Sequence, residues 1–186
     1  SDLCIKLFDK GIENKALVKL IESNVRFPEL SIGDMRAQIA SLKTGEKRIQ
    51  GLCNKYTTES ILESMERFLD QGEKLTINEI SKLPQGTYEI EEWIDDDGIS
   101  ENPIPIKLKL TITENEFICD FRGSSKQVQG PINSSYTGLV SAVRTIFLAI
   151  TNPSQEVNDG AFRPLKIITD EGSIISAQRP APVSMY

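Results

Sequence analysis

The sequence predicts an α+β protein, with a helical N-terminal half followed by a mainly antiparallel sheet and one packed helix. Three observations support this. Apolar residues recur at helical spacing up to about residue 82. Strict apolar–polar alternation then sets in between Ile104 and Ile112. A later apolar run, Gly138 to Ile150, has the length of a helix and follows Ser134 and Ser135, either of which can cap it. The helical region is assigned to 1–85 and the strand-rich region to 86–186.

In order, Asn14 is placed to cap a short helix bearing Leu17, Leu20 and Ile21. Arg26-Phe27-Pro28-Glu29 interrupts it. A second pattern runs from about Ser31 through Met35, Ile39 and Leu42 to Ile49, Leu52 and Cys53, with Gly45 and Gly51 as expected points of breakage or bending. Thr58 opens a third helix whose Ile61, Leu62, Met65, Phe68 and Leu69 form a stripe expected to face a core. Asn78 to Lys82 reads as one further helical turn. After the Pro84-Gln85-Gly86 turn signal comes a strand, Thr87 to Ile94, expected to be irregular around Glu91 and Glu92. Strand 104–112 alternates cleanly, and Glu114-Asn115-Glu116 turns it into strand 117–122 as a hairpin. Asn152-Pro153 is expected to stop the apolar helix. Short strands near 165–169 and 173–176 complete the set.

Composition bounds the function. The chain has 186 residues and a formal net charge of -6, with no basic stripe, which argues against a general nucleic-acid binder. Three scattered cysteines without a CxxC pair suggest reduced thiols and a cytoplasmic protein. No apolar run reaches the roughly 20 residues of a membrane helix. There is no histidine, which removes Ser-His-Asp and Cys-His pairs and histidine metal sites from this chain. Neither a GxxxxGK[ST] loop nor a GxGxxG turn is present. The ends, Ser1 and Arg179-Pro-Ala-Pro-Val-Ser-Met-Tyr186, read as those of an internal piece.

Asp95-Asp96-Asp97-Gly98 reads as a solvated turn rather than a metal site, because neighbouring side chains of an extended segment point apart. Asp120 and Arg122 share one strand face, opposite Cys119 and Phe121. Either they pair with each other or, if covered, they orient a ligand. Gly123, Ser124, Ser125, Gly130 and Asn133 lie in a loop of small hydrogen-bonding residues directly before a helix. That composition suits an anion or a developing oxyanion, and it equally suits a cap and a turn. Arg163, in a second polar loop after Asn158-Asp-Gly160, could face a carboxylate or phosphate.

Read together, several pieces resemble the hydantoinase B/5-oxoprolinase family. They are Asn24-Val-Arg-Phe-Pro-Glu29, Gly33-Asp-Met-Arg-Ala-Gln-Ile39, Leu83-Pro-Gln-Gly-Thr-Tyr88, Asp95-Asp-Asp-Gly98, Asp120-Phe-Arg-Gly-Ser-Ser125, Gln127-Val-Gln-Gly-Pro-Ile-Asn133, Ser141-Ala-Val143, Asn158-Asp-Gly160, Arg163-Pro164 and Arg179-Pro-Ala181. The resemblance implies an internal fragment of a B-type subunit of an ATP-dependent enzyme that opens cyclic amides such as hydantoins or 5-oxoproline. Related members carboxylate ketones. It implies a partner subunit of the ATPase-like hydantoinase A type, with ATP and a divalent metal belonging to the full complex and none to this fragment, which alone would be inactive. On the matched positions, loop 123–133 and Arg163 would face the substrate, with Asp120 and Arg122 supporting them. The alternative is a module that packs against the ATPase subunit while catalysis lies elsewhere.

Overall fold

In a computed structural model, residues 5–151 and 157–183 are described. The chain forms two compact units, 1–63 and 64–186. The sequence places its division instead at 85, where helix gives way to sheet.

The first unit opens with a minimal hairpin, β1 (Phe8–Asp9) and β2 (Ile12–Glu13), turned by Lys10 and Gly11 at positive φ. Helix α1 (Lys15–Asn24) starts where expected, because the Asn14 side-chain oxygen accepts from the Leu17 N–H at 3.1 Å. Pro28 then begins α2 (Pro28–Tyr56), a favoured residue for a first helical position. This helix runs unbroken through Gly45 and Gly51, contrary to expectation. Each glycine costs about 1 kcal/mol of helix propensity, and the helix-forming residues on either side carry the hydrogen-bond ladder across both. Thr57, at φ 71, separates α2 from α3 (Thr58–Ile80).

The expected terminal turn at 78–82 is absorbed into the end of α3, where Ile80 is fully buried. The apolar stripe of α3 does not face a core here: Leu62, Met65 and Phe68 are exposed. No helix among the described residues is long and apolar enough to cross a membrane.

The second unit is built on a sheet of β3 (Gly86–Ile94), β4 (Ile104–Ile112), β5 (Phe117–Asp120) and β6 (Leu165–Ile168), in that spatial order. β3, β4 and β5 pair antiparallel, and β6 pairs parallel with β5. The strand at 86–94 shows no irregularity at Glu91 and Glu92, pairing over nine consecutive positions with β4. The stretch 173–176 is turned rather than extended, because Ser173 and Ser176 donate to the carbonyls of Asp170 and Ser173, three residues back.

Parallel pairing of β5 and β6 requires a crossover, and α4 (Tyr136–Thr151) supplies it. The expected stop at Asn152-Pro153 lies outside the described residues. Helix α4 buries Leu139 and Phe147 against the inner sheet face, where Ile112, Phe117, Cys119 and Phe121 form the core. The rings of Phe147 and Phe117 meet edge to face at 5.2 Å. Burial pushes the Cys119 thiol up to about 11. Cys119 should therefore resist a disulfide reagent such as DTNB at pH 8 and be labelled only on unfolding. Labelling in the native protein would show that this core opens.

Candidate functional site

The loop from Gly123 to Asn133 leaves the end of β5 and enters α4, so the sheet and the helix fix both its ends. Its polar groups find partners far away in sequence. The Gly123 N–H donates to the Asp170 carboxylate at 3.0 Å, from a glycine at φ +81. Ser124 Oγ accepts from the Lys107 N–H and donates to the Phe121 carbonyl. The Ser125 N–H donates to the Pro105 carbonyl, and its own carbonyl accepts from the Ile174 N–H. The Gln127 N–H reaches the Gly172 carbonyl, while its side-chain oxygen accepts from the Gln178 N–H.

Two side chains hold the second half of the loop. Asn133 is 1% exposed. Its amide nitrogen donates to the carbonyls of Val128, Gly130 and Pro182 at 2.8, 3.1 and 2.7 Å, and its oxygen accepts from the Val128 N–H at 2.8 Å. Asp97, also buried, accepts from the N–H groups of Ile99 and Ser100 and, across 33 residues, from Gly130 at 3.1 Å. Gly130 is pressed so close that an added Cβ would lie 1.8 Å from the Asp97 carbonyl oxygen. Only a glycine fits there.

The acidic run thus divides. Asp95 and Asp96 are exposed, Asp96 accepting from the Gly98 N–H. Asp97 is not solvated, and main-chain amides rather than a lysine or arginine balance its charge. The Ser100 N–H first, then that of Ile99, holds its carboxyl below the ordinary 3.8. A depressed folded value stabilises the protein above the unfolded value and loses that contribution as pH falls through the folded one. The Asp97→Asn variant should therefore show a flatter acid limb below about pH 4 than the parent in chemical denaturation. Equal acid limbs would mean that the carboxylate charge is not what these amides stabilise. Among the described residues no group of three or more carboxylates and cysteines is placed to hold a metal ion.

Asp120 and Arg122 pair directly. Both carboxylate oxygens of Asp120 accept from the guanidinium, Nε lying 2.9 and 3.0 Å from them, and one also accepts the Arg122 N–H. The arginine fork holds the Asp120 carboxyl below its usual range. Arg122 also lines a surface cleft of about 410 Å³ with Glu89, Ile90, Glu91, Lys107, Leu108 and Lys109. There Lys107 pairs with Glu91 and Lys109 with Glu89, each at 3.3 Å.

Arg163 follows a short 3-10 helix, Asp159–Phe162, that docks on α3. The Asn158 amide donates to the Phe68 carbonyl at 2.8 Å, and a Cβ on Gly160 would lie 1.9 Å from the Leu69 carbonyl oxygen. The guanidinium of Arg163 is held by Asp70 and Glu73 at 2.8 and 2.9 Å and by Glu66 at 3.3 Å. These acids, spaced four and three apart, share one helix face. They raise the arginine further above its already high value, Glu73 first. All four groups touch solvent, so their contribution is screened by salt. The stability difference between the parent and Arg163→Met should shrink between low salt and 1 M NaCl. A difference unchanged by salt would point to packing of the arginine stem instead.

The candidate residues therefore form three groups rather than one. Loop 123–133 is a cross-link joining the segment after β3, the start of β4 and the stretch 170–183. Asp120 and Arg122 sit at the rim of the cleft on the outer sheet face. Arg163 clamps α3. Sequence reasoning missed Asp97 as the buried acceptor; the Asp-Gly pair followed by a serine is a local signal for such an Asx turn. It also missed Glu66, Asp70 and Glu73 as one acidic stripe, which their spacing displays. Asp170 gave no local signal.

Comparison with known proteins bears on the whole chain. A family model described as hydantoinase B/oxoprolinase matches residues 3–186. The chain is 36% identical over 180 residues to an uncharacterized protein of Methanocaldococcus jannaschii, covering 97% of this chain and 31% of that protein. It is 32% identical over 191 residues to a protein of Pseudomonas sp. (strain NS671) named as a putative B-type subunit of a D-/L-hydantoinase, covering 96% and 32%. Among solved structures, the fold matches the ATP-dependent caprolactamase from Pseudomonas jessenii with a TM-score of 0.87 at 22% identity, over 97% of this chain and 31% of the other. It also matches nucleotide-free acetone carboxylase at 0.85 and 17%, over 97% and 25%. The chain thus spans about a third of the length of the curated relatives named here.

Proposed function

Because this chain belongs to the hydantoinase B/oxoprolinase family over residues 3–186, we propose that it is a segment of the B-type subunit of an ATP-dependent cyclic amidase. The reaction is hydrolysis of a hydantoin or 5-oxoproline type ring amide, with ATP handled by a partner subunit. The observation that carries this reading is the 32% identity, over 96% of the chain, to a protein named as a B-type hydantoinase component. ATP and a divalent metal belong to that complete assembly in this reading.

Within the segment, the cleft at Arg122, Lys107 and Lys109 is the substrate-facing candidate, since its cations lie at an open surface. A guest carboxylate or phosphate would have to compete there with Asp120, Glu89 and Glu91. The loop groups of Gly123, Ser124, Gly130 and Asn133 would act by holding that surface in place, because their donors already serve internal acceptors.

A second reading is favoured by one observation. Those loop groups are internally engaged while large apolar side chains of α2 and α3 stand exposed, as expected of a packing module. The test is to express the longer polypeptide that carries this segment with its ATPase-like partner. ATP-dependent product formation is then assayed with hydantoins, with 5-oxoproline, and with ketones plus bicarbonate. Ring opening supports the amidase; carboxylated product alone replaces it with a ketone carboxylase. If turnover occurs and Arg122→Met leaves it unchanged, the segment is a packing module and the cleft is not substrate-facing.

A further inference from the structure

β3 is the outer strand of its sheet, pairing only with β4 among the described residues. Free strand edges in native proteins are commonly short, bulged, or guarded by charged residues or proline. This one is nine residues long, pairs at nine consecutive positions without a bulge and contains no proline; its charges are those of Glu89, Glu91 and Glu92, which a strand of complementary charge can accept. On its inner face Tyr88 and Ile90 lie opposite Leu110 and Leu108, continuing the core rows outward at 45% and 54% exposure, and Glu92 follows them opposite Ile106. The covering helix cannot reach them. A helix about 10 Å across covers roughly two strands spaced about 4.8 Å apart, and α4 is anchored through Phe147 on Phe117 of β5.

We propose that β3 receives a fifth strand from the part of the longer subunit lying outside residues 1–186. The inward side chains of that strand would be apolar against Tyr88 and Ile90 and cationic or neutral beside Glu92, and its outward ones neutral or cationic beside Glu89 and Glu91. The proposal rests on reading the chain as a segment of a B-type subunit. Length and charge select this occupant. The relatives that match nearly all of this chain are about three times as long, so further polypeptide is at hand in the same subunit. A second copy is disfavoured by charge. Antiparallel self-pairing of β3 centred on residue 90 sets Glu89 of one copy opposite Glu91 of the other, twice over. Centring on 89, 91 or 92 sets a glutamate opposite its own counterpart. Like charges directly opposite destabilise a strand pair.

Hydrogen–deuterium exchange read by mass spectrometry tests this without any assay of turnover, so it stands or falls separately from the substrate. In the 186-residue chain about half of the amides of 86–94 should exchange fast, as on an open edge. In the longer subunit those amides should slow by at least about tenfold. Ile90→Asp should abolish that slowing in the longer subunit while leaving the melting of the 186-residue chain unchanged; if this variant does not fold, Ile90→Thr should reduce the slowing. Equally fast exchange in both proteins would overturn the proposal. So would slowing that appears in the 186-residue chain as its concentration rises, which would indicate a second copy. Slowing that requires addition of the ATPase-like subunit would overturn it too, by assigning the edge to another chain.

Discussion

Asn133→Asp should be the most damaging single substitution in the second unit, worse than Asn133→Ala although it changes only one side-chain atom. The alanine variant leaves the Val128 N–H and three carbonyls without their partner around a side chain that is itself 1% exposed. Each orphaned group costs about 1–3 kcal/mol, with partial relaxation, so a loss of about 3–4 kcal/mol is expected. For a unit of this size that is a drop in Tm of roughly 12–15 °C. The aspartate variant keeps the bond to the Val128 N–H but turns a carboxylate oxygen toward three carbonyl oxygens, adding repulsion and burial of charge. Those surroundings raise its folded pKa above the unfolded value. Its deficit is therefore full at neutral pH and shrinks as pH falls and the carboxyl protonates. Urea denaturation of both variants at pH 7 and pH 4 checks the ranking and the convergence. Equal stability of Asn133→Asp and the parent at pH 7 would mean that the amide nitrogen does not hold the loop.

Gly130→Ala is the second large effect, and here the cause is crowding rather than loss. The new Cβ would lie 1.8 Å from the Asp97 carbonyl oxygen and 2.8 Å from the Asp97 Cβ. The nearest obstacle is main chain, so the loop must move as a body and break the Gly130 N–H bond to the Asp97 carboxylate. Overpacking of this kind costs about 1–3 kcal/mol, more where backbone must shift, and about 3 kcal/mol is expected. Because Asp97→Asn weakens the same contact, the double variant should lose less than the sum of the two. Gly45→Ala is the control of opposite sign. Nothing lies within 4 Å of its added Cβ in the middle of α2, so it should stabilise by about 0.5–1 kcal/mol. Differential scanning calorimetry separates the outcomes.

How much of this was legible depended on range. The Asn14 cap and the alternation of 104–112 are local, and each appears where the sequence put it, whereas α2 begins at Pro28, within the stretch expected to interrupt and ahead of the expected Ser31. Alternation also placed Cys119 and Phe121 on the buried side and Asp120 on the outer one. Propensity misled at Gly45 and Gly51, where a long ladder outweighs two weak positions. Periodicity marked the stripe of Leu62, Met65 and Phe68 correctly as a face, yet could not say what lies against it. The candidate loop shows the limit most clearly. Its composition announced many donors and acceptors, but whether they serve a guest or the fold depends on Asp97, Asp170, Gly172 and Pro182, each more than 30 residues from the group it meets. Composition carries no such information.

The parallel neighbour of β5 has a consequence during synthesis. Leu165 leaves the ribosome 45 residues after Asp120, an interval of roughly 2–9 s at about 5–20 residues per second. Until Thr151 has emerged Phe117 and Cys119 have no α4 above them, and until Leu165–Ile168 has emerged β5 has β4 on one side alone. A holdase that recognises apolar β-structure should therefore engage this polypeptide in that window and release it once Leu165–Ile168 has emerged.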